Sequence, residues 1–109
     1  MKNRLIDICC KCRNILFRSK DSICYEEAID LYDRGQAIII DVRDKDEYEE
    51  GHIQGAINIP VYEIDSKIGT IEKNKSNIII VYCRTGKRSK MAKRILEEKG
   101  YTNIYILYI

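Results

Sequence analysis

Ile78-Ile79-Ile80-Val81-Tyr82-Cys83-Arg84-Thr85-Gly86-Lys87-Arg88-Ser89 is the stretch that decides the fold. The apolar and aromatic β-formers before the cysteine run without alternation, as in a parallel strand buried on both faces. A basic turn containing glycine follows, and Met91, Ala92, Ile95 and Leu96 then fall on a helical stripe that Gly100 closes. Cys83 therefore stands where a strand hands over to a helix. The first N–H groups of that helix lack intrahelical partners and converge on one point, where the helix dipole and Arg84, Lys87 and Arg88 also favour negative charge. A thiol so placed ionises at roughly 3.5–7.5, which makes its sulfur nucleophilic at neutral pH.

Upstream, Ala37-Ile38-Ile39-Ile40 repeats the buried-strand pattern and ends in Asp41-Val42-Arg43. Residues 25–34 carry Tyr25, Ala28, Ile29 and Tyr32 on one helical face, with Gly35 placed to end the helix, and Ile23-Cys24 before them is a candidate short strand. Asp44 can cap a short acidic helix over residues 45–50, which Gly51 would stop. A loop and brief strand then run to Pro60; Ile64, Ile68 and Ile71 suggest a further helix, and residues 104–107 form the last strand. Alternating strands and helices predict an α/β fold with a mostly parallel central sheet. Its ligands would bind at the carboxyl ends of the strands, the edge that carries Asp41, Arg43 and Cys83.

With 109 residues and a formal net charge of +2, the chain fits one domain with no global drive toward nucleic acid or membrane. Arg84, Lys87, Arg88, Lys90, Lys93 and Arg94 do crowd one segment with no acid among them. RNA phosphates would suit such a run, but the solvated face of a helix is the better reading, so nucleic acid is not expected as a partner. Charges break up the first twenty residues, leaving no signal-peptide core or membrane span, and a cytoplasmic location is expected. The five cysteines, at 9, 10, 12, 24 and 83, should then be reduced. Cys9 and Cys12 form a C-x-x-C without a second pair or histidine nearby, so no metal is expected there. Leu5, Ile8, Cys9, Cys12, Ile15 and Leu16 fall at helical spacing, which reads as an amphipathic helix with Cys10 off its stripe. The chain divides accordingly into an N-terminal helical extension, residues 1–20, and a domain over 21–109.

Asp41-Val42-Arg43, the run from Glu47-Tyr48-Glu49-Glu50-Gly51-His52-Ile53-Gln54-Gly55-Ala56 to Ile57-Asn58-Ile59-Pro60, and Tyr82 to Ser89 together resemble a single-domain rhodanese. This resemblance implies a three-layer fold, with a five-stranded parallel sheet flanked by helices and the cysteine after the fourth strand. It implies a sulfurtransferase. A Cys83 thiolate would take the outer sulfur of thiosulfate or of a small-molecule or protein persulfide, and a thiophilic acceptor would collect it from the resulting Cys83 persulfide. The amides and side chains of Arg84, Thr85, Gly86, Lys87, Arg88 and Ser89 would bind the anion. Asp41, Arg43 and His52 would support the neighbouring loops, with Arg43 paired to an acid such as Glu47 and His52 in a structural turn. No cofactor is implied.

Tyrosine-type phosphatases and the arsenate reductases of this fold use a Cys-x5-Arg loop, whereas four residues separate Cys83 from Arg88 here and Ser89 takes the arginine's position. The shorter loop suits one sulfur atom better than a phosphate. A non-catalytic binding or sulfur-carrier module is the other alternative, against which the intact cysteine and basic loop weigh. Rhodaneses usually add a helix after the last strand, and this sequence stops at Ile109. The N-terminal helix, or a homodimer, could cover the apolar sheet surface that such a helix would have hidden.

Overall fold

The structure, a computed structural model, describes residues 21–108. Its strands are β1 (Ser22–Ile23), β2 (Ala37–Asp41), β3 (Ile57–Asn58), β4 (Ile78–Tyr82) and β5 (Asn103–Leu107). Between them lie α1 (Tyr25–Asp33), α2 (Lys45–Glu50), α3 (Ile64–Ile71) and α4 (Lys87–Glu98), with a short 3-10 turn at Val61–Glu63. The sheet order is β1-β5-β4-β2-β3, and every pairing is parallel. The expected α/β architecture, with five parallel strands flanked by helices, is therefore present. The first strand sits one residue earlier than the sequence suggested.

β4 lies in the middle of this sheet, and its alternation feeds two cores. Ile79, Val81 and then Cys83 pack with Ile40, Ile64, Ile68, Ala92 and Leu96 beneath α3 and α4. Ile80 and Tyr82 face the other way, onto Ile39, Leu107 and Ala28 of α1. This two-sided burial explains why the strand reads as an unbroken apolar run. Each fully buried aliphatic side chain stabilises the fold by about 1.5–3 kcal/mol, so β4 anchors whatever follows it.

Local signals set the helix boundaries. Gly35 adopts a φ of 74°, the left-handed conformation that ends α1. Asp44 and Glu47 form a reciprocal capping box at the start of α2. The predicted helical stripes hold for Ala28, Ile29, Tyr32, Ala92, Ile95 and Leu96, all buried or packed on the cores, and miss at their first residues. Tyr25 and Met91 are exposed, and the buried face of α4 is Ser89, Ala92 and Leu96. The loop forces this, because Ser89 in the first turn of α4 must face Cys83, and positions three and seven residues later follow it inward.

The basic run also differs from expectation, since acids from elsewhere reach it: Glu47 meets Arg84 and Arg88, and Asp21 and Glu97 meet Lys93. No helix among the described residues is long and apolar enough to cross a membrane. The predicted N-terminal helix, with Cys9, Cys10 and Cys12, lies outside the described residues.

Candidate active site

Cys83 leaves β4 with its side chain 2 % exposed, at the floor of a loop whose outer residues Arg84, Thr85 and Lys87 face solvent. The chain turns back over the sulfur at Gly86, where φ is 94°. That conformation costs a residue with a Cβ about 1–2 kcal/mol and glycine almost nothing. It aims the Gly86 N–H at Cys83 Sγ, 3.0 Å away. Burial pushes the thiol pKa up, but the Ser89 hydroxyl and the amides of Ser89, Gly86 and Arg88 outweigh it, so the net shift is downward. Ser89 Oγ is fully buried and completes no hydrogen bond of its own, although it bears on the sulfur.

Arg88 does not reach over the sulfur. Its Nη1 and Nη2 donate to Glu47 Oε1 and Oε2 at 2.8 and 3.2 Å, an end-on fork that ties the start of α4 to α2. The Arg88 pair, with the Asp44 N–H, holds the Glu47 carboxyl well below its ordinary range, at about 2. Arg84 Nε stands 3.7 Å from the same carboxylate, on a largely exposed side chain.

The predicted pairing of Arg43 with Glu47 is replaced by a different one. Arg43 donates from Nε and Nη2 to both oxygens of Asp41 and from Nη2 to the Gly51 carbonyl at 2.7 Å. Asp41 lies two residues back at the end of an extended strand, already within reach, whereas Glu47 is drawn away by the longer Arg88 fork. Asp41 is fully buried, and the Tyr82 hydroxyl donates to its Oδ2 at 2.9 Å while accepting the Ile53 N–H at 3.0 Å. Burial, reinforced by the Asp41 carboxylate, pushes the Tyr82 pKa up to about 12, so the hydroxyl keeps its proton. Arg43, hydrogen-bonded to that same carboxylate, is pushed up as well.

His52 joins this support and stays away from the sulfur. Its Nδ1 hydrogen-bonds the Tyr48 carbonyl at 2.8 Å, and its ring stacks on Tyr48 with centroids 3.7 Å apart. Two of the residues that brace the loop were not singled out in that role from the sequence. Tyr82 had a usable signal, since a buried tyrosine needs a partner for its hydroxyl. Glu47 had none, because its partner lies 41 residues away. Among the described residues, no group of three or more His, Cys, Asp or Glu side chains is arranged to hold a metal ion.

Known proteins resemble this chain in sequence and in fold. Thiosulfate sulfurtransferase PspE of Escherichia coli is 46% identical over 65 residues, covering 60% of this chain and 62% of PspE. The putative sulfur carrier protein YrkF of Bacillus subtilis is 36% identical over 66 residues, which span 61% of this chain and 35% of YrkF. The matched region is thus under two thirds of either relative's length. Among solved structures, an E. coli rhodanese with anions superimposes with a TM-score of 0.62 at 43% identity, covering 64% of this chain and 82% of its own. The human single-domain sulfurtransferase TSTD1 gives 0.70 at 26% identity, with coverages of 82% and 89%. The rhodanese-like domain family profile matches residues 25–108, from the first turn of α1 past the end of β5 and across the whole Cys83 loop. The chain belongs to the rhodanese-like domain family.

Proposed function

We propose that the domain is a sulfurtransferase that carries sulfur on Cys83. The observation that carries this reading is a cysteine whose sulfur is met by several loop amides and whose thiol pKa is lowered despite burial. In the first half-reaction the thiolate attacks the outer sulfur of thiosulfate or of a persulfide. The Sγ–S bond forms, the donor's S–S bond breaks, and its electron pair leaves on sulfite or on the donor thiolate. In the second, an acceptor thiolate or cyanide attacks that outer sulfur and returns the electron pair to Cys83. The oxidation states balance without an external oxidant or cofactor.

The cradle suits the intermediate as well as the resting thiolate. A terminal persulfide sulfur is anionic and would sit one S–S bond beyond Sγ, the atom on which the amides of Gly86, Arg88 and Ser89 bear. The buried Ser89 hydroxyl, which also bears on Sγ, is a further donor beside it. Phosphoryl chemistry fits poorly, because Arg88 is held by Glu47 and cannot clamp an oxyanion above the sulfur.

Intact-mass measurement after incubation with thiosulfate tests the reading. The expected result is the gain of one sulfur atom, mapped to Cys83 and absent in Cys83→Ser, with release on adding cyanide. A protein that gains none, or gains it on another cysteine, refutes it. A persulfide that forms but resists cyanide would instead favour a carrier with a dedicated protein acceptor, the kind of role in the name of the B. subtilis relative.

A further inference from the structure

Tyr108 follows β5, one step past Leu107, which is in register with Tyr82. That places it level with Cys83 on the neighbouring strand. Its ring lies against the loop: a Cβ built on Gly86 would stand 2.7 Å from Tyr108 Cε1 and 3.3 Å from Cδ1. Gly86 is buried although Arg84, Thr85 and Lys87 beside it are exposed, while Tyr108 itself keeps 44% exposure. The aromatic ring thus separates solvent from the backbone unit whose N–H donates to Cys83 Sγ at 3.0 Å.

We propose that Tyr108 is a positioning residue for the nucleophile: seated on Gly86, its ring holds that amide on the sulfur and keeps water from the N–H···S hydrogen bond. An amide facing a sulfur anion in a dry setting binds it more strongly than one shared with water. Removing the ring lets water compete for the Gly86 N–H and lets the left-handed turn relax outward. Both changes weaken the negative sulfur, in the resting thiolate and in its persulfide alike. The phenol hydroxyl takes no part, so the inference concerns the ring.

The charged groups around the thiol stay constant in the test. Arg88 at the start of α4 is tied to Glu47 of α2, Arg84 and Lys87 on the loop face solvent, and Arg43 on the β2 side is spent on Asp41.

The experiment measures the rate of Cys83 alkylation by iodoacetamide against pH in the full chain, with the modified residue identified by peptide mapping. Parent, Tyr108→Phe and Tyr108→Ala are compared, and circular dichroism verifies the fold. Tyr108→Phe should reproduce the parent midpoint. Tyr108→Ala should raise it by about half a unit or more, on the order of a threefold loss of thiolate at acidic pH. Should Tyr108→Ala not fold, Tyr108→Asn takes its place with the same expected rise. An unmoved midpoint in the folded Ala or Asn variant overturns the inference, as does a Phe variant shifted as far as Ala, which would make the hydroxyl responsible. The inference rests on Cys83 as the sulfur-bearing nucleophile, and the two fail differently. A parent midpoint at the ordinary thiol value defeats that reading, whereas a low parent midpoint indifferent to Tyr108 defeats this one.

Discussion

Glu47→Gln isolates the charge that holds the active-site loop to α2. Glutamine keeps the shape and still offers an acceptor to the Asp44 N–H, which Glu47 Oε1 receives at 3.0 Å, so the helix cap survives. What disappears is the charge in the fork with Arg88. Hydrogen bonds to charged groups contribute about 1.5–3 kcal/mol, but exposed ion pairs contribute only about 0.2–1. The Arg88 side chain is 32% exposed and that of Glu47 23%, so water screens the pair and ~1 kcal/mol is the expected loss at neutral pH. In a domain of this size that lowers Tm by about 4–8 °C.

The dependence on pH follows from the direction of the shift. The folded carboxyl titrates at about 2, below its ordinary 4.5, so the folded state holds the ionised form more tightly. The stability this confers is fully present above 4.5 and is lost as pH falls toward 2. Urea unfolding of parent and variant at a series of pH values should therefore show a gap at neutral pH that closes on acidification through this window. Sulfur transfer should fall in the variant, because Arg88 is no longer anchored and the turn it helps to form loosens. A gap that is absent at neutral pH, or that stays constant down to the acid end of the window, refutes the assignment of the fork as the clamp on the loop.

Arg84→Ala and Lys87→Ala should weaken turnover of the thiosulfate dianion more than of a small persulfide donor of lower charge, with the difference shrinking as salt rises; equal and salt-independent losses would assign both residues to loop structure. Cys83→Ser should abolish sulfur transfer yet leave the urea midpoint nearly unchanged, since a smaller hydroxyl replaces the thiol among the same amides; residual transfer would place the nucleophile on another cysteine. Tyr82→Phe strips the Ile53 N–H and Asp41 of a shared partner and should cost ~1–3 kcal/mol in urea unfolding. An unchanged midpoint would mean that water satisfies both groups.

Features with a local physical cause were legible in the sequence. The run from Ile78 to Tyr82 could only be a strand covered on both sides, and Asp44 with Glu47 three residues later carries its own cap. Arg43 marks where such reasoning stops. The resemblance implied a pairing with an acid such as Glu47, yet Arg43 precedes the helix and points along the strand end toward Asp41. Glu47 meets Arg88 only because β2 and β4 are neighbours in the sheet, a fact of topology that no short window contains. The helical stripes missed at Tyr25 and Met91 for a related reason. Periodicity fixes the spacing of buried residues, but the Cys83 loop fixes their phase, so that Ser89 goes inward and Met91 outward.

The contacts that brace the surroundings of the Cys83 loop close very long loops of chain. Asp41 to Tyr82 and Glu47 to Arg88 each span 41 residues, and β1 pairs with β5 across nearly the whole described chain. Loop-closure entropy delays such contacts, so they form late in folding. During synthesis Asp41 and Glu47 emerge well before the partners they will hold, and Cys83 meanwhile is an ordinary thiol, mostly protonated at cellular pH. An unfinished or damaged copy therefore holds its Cys83 loop without these braces. If Cys83 is activated as proposed, its reactivity should track closure of the sheet, and a brief pulse of a thiol reagent on a mixed population would test this.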